Sequence, residues 1–554
     1  MNKRTHALKR LIKKNKLAYK AARKVKHTVF PGSATNLEIY DFQKYYPSTE
    51  ELKDQRASYK NFKLQPKISI VMPTYNTNDR FLRECIDSVL DQSYPNWELC
   101  IADDASPQKS VVATIKQYAG RDSRIRLVER KQNGHISLAS NSAIEIATGE
   151  YLALLDHDDF LWPNALYEIV KAINSQPDVD FIYCDEDKID EASKIHSYPF
   201  FKPDWSPEFL ESCNYITHFS CIRKAVVDKV GGFRKGYEGA QDWDLFIRVT
   251  EVTERIYHTP KVLYSWRVHE SSTAQDTDAK PYVYEAQKKL LEDHVKRTGA
   301  KGDVHPGLIW QHSIIEFEVE GAPSVQVVIY GSEATDETAN KLVKNSGYSK
   351  NVTIKIVKAL KSRTFEEVIK SSNDDYYVLL PADTIKLSDK WLYKLLADCQ
   401  RDGVGVVGGR LLSADSKTLY SAGIGVGLGQ YYLPLLNGES TEDNHYMRAL
   451  HGKSRRDVSA VYPPLMVSGK ALAKVRAGEL KEAYFSVDLC LSVISSGFRC
   501  VYSPYIAATP AKSSHARLSK REASSFKSKW SQYVNNDPYV NPNYVKSNGK
   551  LEVA

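Results

Sequence analysis

Hydrophobic positions in the first half of the chain alternate between short unbroken apolar runs and stretches of helical spacing. An unbroken run of four to six apolar residues is typical of a strand that is covered on both faces. Apolar spacing between the runs predicts helices, for example over residues 81–90 and 137–147. This alternation is typical of βαβ units, so we predict an α/β fold with a mostly parallel sheet flanked by helices. The predicted strands are Ile68–Met72, Trp97–Ala102, Ile125–Val128 and Tyr151–Leu155.

Polar side chains follow three of these strands, at the point where each strand ends. Thr74–Asn76 follow the first strand, Asp103–Asp104 follow the second, and Asp156–Asp159 with three carboxylates follow the central one. Ligands of open α/β sheets bind beyond the carboxyl ends of the strands, and crowded carboxylates favour a cation. The pattern therefore indicates a divalent-metal site that receives a phosphorylated ligand. From spacing alone, a solvated acidic turn that caps the next helix is an equally good interpretation.

The absence of two nucleotide-binding motifs narrows the class of phosphorylated ligand that this site is predicted to bind. No GxGxxG follows the first strand and no GxxxxGK[ST] occurs, which argues against a dinucleotide enzyme and a P-loop NTPase. An aromatic ring, carboxylates and a metal can together hold a nucleoside diphosphate. The ring stacks on the base, a carboxylate accepts a pyrimidine N–H, and the metal neutralises the diphosphate.

Three later motifs carry alternatives that the sequence leaves open. The acidic cluster Asp185–Lys188 fits a charged surface turn and an active-site role equally well. Asp242 opens a predicted helix, where it could interact with the macrodipole or serve as a base at the rim of a cleft. Arg267 and His269 follow a strand in a Trp-Arg-x-His loop, although a lone histidine is usually structural.

A second region, residues 323–515, repeats the strand pattern of the first but lacks several of its polar residues. Val325–Tyr330 and Tyr376–Leu380 predict strands, but the second of these is followed by the single carboxylate of Asp383, and Asp488 lies near a helix start. The paired aspartates and the aromatic residue after the first strand are missing. We therefore predict a catalytically silent α/β domain that binds acceptor or partner, with a second active domain as the alternative.

Chain length limits the number of domains, and cysteine usage indicates the redox compartment. A chain of 554 residues is too long for one core. We predict a basic helix and connector (1–65), a catalytic domain (66–300), the second domain (323–515) and a loosely packed tail (516–554). The eight cysteines form no CxxC pair, which favours a reducing compartment, and no secretory signal or run of about 20 apolar residues is present.

The net charge of +8 is concentrated at the start of the chain, where residues 1–26 contain eleven Lys or Arg and no acidic residue. Since the remainder is close to neutral, the charge does not indicate nucleic-acid binding. Residues 1–27 have roughly helical apolar spacing, which predicts an amphipathic helix on an anionic membrane surface. A frayed basic tail or a partner-binding helix is the alternative.

The ordered motifs resemble family 2 glycosyltransferases with the GT-A fold, over about residues 66–300. Two further stretches, Asp185–Lys188 and Phe201–Ser206, resemble the bacterial subgroup of rhamnosyltransferase-like enzymes that build O-antigen-like and other surface polysaccharides. The motifs that carry the family resemblance are Pro73–Asn76, Asp103–Ser106, Asn133–Gly134, Asp156–Asp159, Gln241–Asp242 and Arg267–His269.

The resemblance implies an inverting, metal-dependent transfer of a sugar from a UDP- or dTDP-sugar to a growing or lipid-linked cell-surface polysaccharide. It would take place on the cytoplasmic face of the membrane. Many relatives have Glu immediately before the aspartate that acts as general base, which here corresponds to Asp242, whereas this chain has Gln241 at that position. The resemblance implies the following roles: Asp242 as general base; Pro73, Thr74, Tyr75, Asn76, Asp103, Asp104, Asn133, Asp156 and Arg267 at the nucleotide sugar; and Asp158, His269 and Asp156 at Mg²⁺ or Mn²⁺.

Two other functions remain alternatives at this point. One is a nucleotidyltransferase, although the usual Gly-rich loop with Lys or Arg after the first strand is absent. The other is a non-catalytic glycan-binding or scaffold subunit of a polysaccharide assembly complex, against which the complete motif set between residues 73 and 269 argues.

Overall fold

A computed structural model describes residues 38–269, 281–309, 312–443, 445–510 and 518–553. The predicted membrane-surface helix over residues 1–27 lies outside these ranges. Among the described residues, no helix combines the length and the apolar character that a bilayer crossing requires. All eight cysteines fall within the described ranges and are buried free thiols.

The first half is built on a nine-stranded sheet with the order β3-β2-β1-β4-β8-β6-β9-β5, and β7 pairs with β6. The four leading strands are parallel, as the apolar runs predict, while β8 runs antiparallel to both of its neighbours. The strands are β1 (Ile68–Thr74), β2 (Trp97–Asp103), β3 (Ile125–Glu129), β4 (Tyr151–Leu154), β5 (Phe160–Leu161), β6 (Phe181–Asp190), β7 (His196–Phe200), β8 (Ser220–Arg223) and β9 (Ile256–Val268).

Helices cover both faces of this sheet, and the apolar side chains of sheet and helices form two cores. An antiparallel pair, β10 (Gly302–Pro306) and β11 (Ser313–Phe317), follows the last of these helices. The α-helices of this half are Thr49–Ser58, Asp79–Leu90, Lys109–Ala119, His135–Glu145, Ala165–Ser175, Pro207–Ser212, Lys224–Val230, Gln241–Thr250 and Pro281–Thr298, with 3-10 turns at Phe42–Lys44 and Tyr59–Asn61.

Within the described residues, the second half repeats the same sheet but has no counterpart of β3. Its order, β13-β12-β14-β21-β16-β22-β15, matches β2-β1-β4-β8-β6-β9-β5 strand for strand, with the same parallel and antiparallel pairings. A second α/β sheet of this plan was predicted from the sequence. The strands are β12 (Val325–Tyr330), β13 (Val352–Val357), β14 (Tyr376–Pro381), β15 (Thr384–Leu387), β16 (Val404–Leu412), β17 (Leu419–Ser421), β18 (Ile424–Val426), β19 (Tyr432–Pro434), β20 (Arg456–Asp457), β21 (Leu465–Ser468) and β22 (Arg499–Pro510).

The last described segment, 518–553, is tightly packed, so the prediction of a loose tail from 516 is wrong. Its Lys- and Ser-rich sequence conceals apolar residues, among them Phe526 and Trp530, that enter the core of the second half. The α-helices after β12 are Asp336–Val343, Ser362–Ser372, Trp391–Cys399, Tyr446–Lys453, Gly469–Leu472, Phe485–Ser495, Lys520–Lys529 and Ser531–Asn535, with 3-10 turns at Ala477–Glu479 and Glu482–Tyr484.

A buried charge cluster joins the two halves. The carboxylate of Glu208, on the short helix Pro207–Ser212, accepts hydrogen bonds of 3.0 Å from Arg401, Arg455 and Arg499 of the second half. Asn541, in the last segment, donates to the buried carboxylate of Asp185 on β6 at 2.9 and 3.0 Å. Charged groups that are buried and paired in this way are costly to separate, so they fix the halves against each other.

Candidate functional site

A single cleft of about 1330 Å³ opens at the carboxyl ends of the first-half strands. It brings together most of the residues predicted from the sequence, although the outermost of them, Pro73 and His269, lie 196 positions apart in the chain. The predicted residues that line the cleft are Pro73, Thr74, Tyr75, Asn76, Asp104, Asn133, Asp156, Asp158, Asp242 and His269.

One side of the cleft is organised around Asp104. Its carboxylate accepts from Arg130 Nε at 2.7 Å and from the backbone N–H of Gly134 at 3.0 Å. Its own N–H donates to the carbonyl of Thr74 at 2.8 Å, which ties the ends of β1 and β2 together. Tyr75 beside it remains 46% exposed, so its ring face is open to a ligand. A flat group that stacks on Tyr75 would lie next to a rigidly held carboxylate.

Two hydroxyl groups on this side lack partners. Thr74 Oγ1 and Thr77 Oγ1 are buried, and neither has a hydrogen-bond partner among the described residues. Both residues line the cleft. Because buried polar groups are normally hydrogen-bonded, these hydroxyls suit a polar ligand that binds in the cleft.

Two predicted contact residues do not line the cleft. Asp103 is buried and accepts from the backbone N–H and the hydroxyl of Ser106, at 3.0 and 2.5 Å, so it holds the turn after β2. Arg267 is fully buried; its Nε donates to the carbonyl of Asp158 at 2.6 Å and its guanidinium pairs with Glu84 at 2.9 Å. Arg267 therefore braces the acidic loop from behind, and the prediction that it contacts the nucleotide sugar is wrong for this geometry.

Asp158 and His269 meet directly in the cleft. His269 Nε2 lies 2.8 Å from Asp158 Oδ2, and His157 Nδ1 lies 3.7 Å from the other carboxylate oxygen. Burial opposes ionisation of Asp158, but the two histidines outweigh it and lower the pKa of Asp158 to about 2. Asp158 is therefore an anion at neutral pH, as a metal ligand must be.

Asp156 faces a histidine that the sequence analysis missed. His218 Nε2 lies 4.0 Å from Asp156 Oδ2, and ligand atoms of Asp156, Asp159 and His218 lie within 4.8 Å of one another. Burial in the cleft, together with the carboxylates of Asp158 and Asp242, raises the pKa of Asp156. A cation at this point would relieve that crowding.

Asp159 serves a different purpose in the same loop. One of its oxygens accepts from the hydroxyl of Tyr264 at 2.5 Å and the other from the N–H of Arg267 at 2.8 Å. Both oxygens are thus engaged within the protein, and the residue is 1% exposed. With both Asp159 oxygens engaged, the candidate ligand atoms in the cleft are the carboxylate oxygens of Asp156 and Asp158 and the imidazole nitrogens of His218 and His269. The carboxylates are the hard oxygen ligands that Mg²⁺ and Mn²⁺ prefer, whereas imidazole is a borderline ligand.

Asp242 lies in the first turn of the helix Gln241–Thr250 and lines the cleft. Asn214 Nδ2 donates to Asp242 Oδ2 at 2.8 Å, while the other carboxylate oxygen has no hydrogen-bond partner among the described residues. The side chain of Gln241 accepts from the N–H of Gly239 at 2.7 Å, so it holds the loop rather than a ligand. A base at the rim of the cleft is the interpretation that this geometry favours.

The acidic cluster Asp185–Lys188 is neither a surface turn nor part of the cleft wall, because β6 continues through it to Asp190. Glu186 pairs with Lys202 at 3.1 Å and accepts from the N–H of His218 at 2.9 Å. Asp187 accepts from the hydroxyl of Tyr40 at 2.8 Å, which anchors the aromatic connector before β1. These carboxylates are internal supports, and Glu186 holds the segment that carries His218.

The corresponding acidic residues of the second half form no comparable site among the described residues. Asp488, near the start of the helix Phe485–Ser495, is fully buried and accepts from Trp530 Nε1 at 2.7 Å and Lys529 Nζ at 2.9 Å. The N–H of Lys481 adds a further hydrogen bond of 2.8 Å. A carboxylate with this many internal donors is not available to take a proton from a ligand.

The cleft side chains that sequence reasoning missed include His218, Asn214 and Tyr446. The first two lie in the irregular stretch between the helix Pro207–Ser212 and β8, where no periodicity marks them. Tyr446 comes from the second half, more than 170 residues after His269. Only the polar Asn-x-x-Thr-His pattern of residues 214–218 offered a signal.

Comparison with known proteins gives a consistent result for the first half. The model of glycosyl transferase family 2 matches residues 69–231. A putative glycosyltransferase, EpsE of Bacillus subtilis, is 30% identical over an alignment that covers 42% of this chain and 86% of that protein.

Two longer alignments extend beyond the first half. An uncharacterised protein of Sinorhizobium fredii is 35% identical over an alignment 540 residues long that covers 86% of this chain and 57% of that protein. The O-antigen biosynthesis protein RfbC of Myxococcus xanthus is 30% identical over 66% of this chain and 31% of that protein. This chain thus spans about half the length, or less, of these two relatives.

Proposed function

The chain belongs to glycosyl transferase family 2, and from that premise we propose that it is an inverting, metal-dependent glycosyltransferase that uses a nucleotide-diphospho-sugar. The observation that carries the proposal is the convergence of Tyr75, Asp104, Asp158 and Asp242 in one cleft. A base platform, a fixed carboxylate, a candidate metal ligand and a candidate base are the parts that this reaction needs.

We propose that the nucleotide binds at the β1–β2 side of the cleft. Tyr75 would stack on a pyrimidine, and Asp104 would accept its N–H, as suits a UDP- or dTDP-sugar. The unpartnered hydroxyls of Thr74 and Thr77 support this position, since a ribose or base edge would satisfy them. Asn133 donates to the carbonyl of Asp104 at 3.2 Å and would keep this side in shape.

Asp156, Asp158, His218 and His269 would hold a divalent cation of the hard class, Mg²⁺ or Mn²⁺. When bound, such an ion neutralises the diphosphate and stabilises it as it departs. The neighbouring histidines, His157 and His269, would keep the carboxylate of Asp158 ionised. Arg267 would fix the loop through its hydrogen bond to the carbonyl of Asp158.

Asp242 would act as the general base. It would remove the proton of an acceptor hydroxyl while that oxygen forms a bond to the anomeric carbon from the face opposite the diphosphate. The bond between the anomeric carbon and the diphosphate oxygen breaks with its electron pair, and the nucleoside diphosphate leaves as an anion. The hydrogen bond from Asn214 would hold the carboxylate in the orientation that this attack requires.

We propose a growing or lipid-linked cell-surface polysaccharide as the acceptor. Support comes from the relative of Myxococcus xanthus, which is named for O-antigen biosynthesis. For residues 1–27 we propose contact with an anionic membrane surface, on the strength of their eleven cationic side chains within positions 1–26. Deleting residues 1–27 should abolish co-flotation with vesicles that contain anionic phospholipid, and unchanged flotation would refute the membrane proposal.

We also propose that the domain of residues 323–515 is catalytically silent. Asp488, buried beneath Trp530 and Lys529, and the single acidic residue Asp383 after β14 support this. Asp383→Asn should therefore leave turnover unchanged, whereas Asp158→Asn should lower it by about two orders of magnitude. The two variants are matched because each changes one carboxylate after the central strand of its own sheet. Loss of turnover in the Asp383 variant alone would reverse the assignment of the two halves.

The test of function uses purified full-length protein, Mn²⁺ and a panel of nucleotide sugars. Metal-dependent release of nucleoside diphosphate, reduced by about two orders of magnitude in Asp158→Asn, supports the proposal. Release of pyrophosphate would indicate a nucleotidyltransferase. Absence of both turnover and nucleotide binding would indicate a glycan-binding or scaffold subunit of an assembly complex.

A further inference from the structure

The second half contributes side chains to the catalytic cleft. Tyr446 and Leu450, both on the helix Tyr446–Lys453, line the cleft beside Asn214 and Trp243 of the first half. Met447 and Leu450 are buried, at 4% and 2% exposure, in a core otherwise formed mainly by first-half residues. This helix is therefore a fixed part of the cleft wall, held by apolar burial on the catalytic side.

Tyr446 presents an open aromatic surface there. It is 38% exposed, and its ring makes an edge-on contact with Phe200, the two centroids lying 5.8 Å apart. An aromatic side chain that is supported on one edge and exposed on a face keeps a large apolar surface available to a ligand.

The side chains of Lys188 and Trp266 connect Tyr446 to the candidate metal site. Lys188 Nζ lies 5.3 Å from the ring centroid of Tyr446 and 5.0 Å from that of Trp266, so both rings flank one ammonium group. Trp266 in turn packs at 6.0 Å against His218, which faces Asp156. Aromatic surface thus extends from the candidate metal site to the second half.

We propose, on the basis of the function proposed above, that Tyr446 and Trp266 form a platform that binds pyranose rings of the acceptor glycan. The C–H faces of a pyranose are apolar and match an aromatic face in size, while its hydroxyls remain free for polar contacts. Lys188 Nζ lies 5.0 Å from the Trp266 ring centroid and 5.3 Å from that of Tyr446. The silent half would then determine which acceptor is used without taking part in the chemistry.

The test separates acceptor binding from donor chemistry. Full-length wild type, Tyr446→Ala, Tyr446→Phe and Ile385→Ala are compared; Ile385 is 57% exposed on β15, in the second half, outside the cleft lining. Saturation-transfer NMR measures binding of methyl glycosides of rhamnose, glucose, galactose, mannose and N-acetylglucosamine, in the presence of UDP and Mn²⁺. Release of nucleoside diphosphate from the donor in water is measured on the same samples.

We expect wild type to transfer saturation to at least one glycoside, and Tyr446→Ala to weaken that binding by about fivefold or more. Tyr446→Phe and Ile385→Ala should stay within about twofold of wild type in glycoside binding, and Ile385→Ala, outside the cleft, should match wild type in donor breakdown. The proposal is overturned if wild type binds none of the glycosides, if Tyr446→Ala binds as well as wild type, or if that variant also loses donor breakdown. Wild type that releases no nucleoside diphosphate from any donor would instead refute the proposed function, because glycoside binding is read independently.

Discussion

Removing the carboxylate of Glu208 should loosen the joint between the halves. In the variant Glu208→Gln, three guanidinium groups lose the anion that each contacts at 3.0 Å. Glu208 is fully buried and Arg455 is 3% exposed, so water cannot replace the lost charge. Breaking a buried pair by removing one partner typically costs about 3–5 kcal/mol.

The remaining contacts place the expected cost at the lower end of that range. Arg401 keeps Glu211 at 2.7 Å, Arg455 keeps Asp398 at 3.1 Å, and Arg499 keeps Asp457 at 3.3 Å. We therefore expect the free energy of unfolding to fall by about 3 kcal/mol. Urea unfolding followed by circular dichroism measures it.

The matched control is Glu316→Gln, because Glu316 is exposed on β11 and has no ion pair within 4 Å among the described residues. Its free energy of unfolding should stay within about 0.5 kcal/mol of wild type. A loss of less than about 1 kcal/mol in Glu208→Gln would refute the reasoning, since the arginine cluster would then be hydrated or separated.

Three further outcomes follow from the site and its supports. Asp242→Asn should lower kcat for sugar transfer by about 10²-fold or more while the KM for the donor changes little, and steady-state kinetics that show a raised KM with unchanged kcat would contradict a base. Arg267→Met should lower the free energy of unfolding by about 3 kcal/mol, because Glu84 loses its buried cation, and weakened nucleotide binding at unchanged stability would contradict the bracing role. His294 is buried, which disfavours its charged form, but Glu211 and Glu251 raise its pKa from 6.5 to about 9. The stability that this histidine contributes is therefore fully present below about pH 6.5 and is lost as the pH rises through about 9. The difference in urea midpoint between wild type and His294→Gln should therefore shrink between about pH 6.5 and about 9. A difference that grows over this range would contradict the assignment.

The sequence predicted what depends on local pattern. Unbroken apolar runs marked β1 to β4, and the rule that ligands bind beyond strand ends correctly predicted that Asp104 and Asp158 line one cleft. The same logic recovered the second sheet from Val325–Tyr330 and Tyr376–Leu380, because a strand that is buried on both faces leaves the same signature wherever it occurs.

Failures arose where long-range packing decides the outcome. Arg267 lies near the end of β9 and Asp158 in the loop after β4, and only the fold determines that the guanidinium meets the carbonyl of Asp158 from behind rather than the cleft in front. Residues 516–554 have the composition of a loose segment, yet Phe526 and Trp530 find apolar partners in the second half. Tyr446 carries no local sign of function, since its position depends on how two sheets dock.

The hydrogen bonds from Asn541 to Asp185 join residues 356 positions apart. During synthesis, the strand that carries Asp185 leaves the ribosome long before its partner exists, and at about 5–20 residues per second that interval lasts tens of seconds. Throughout it, a carboxylate destined for the interior lacks two of its donors. The first half is thus completed by a segment that is translated 356 residues after the carboxylate it satisfies.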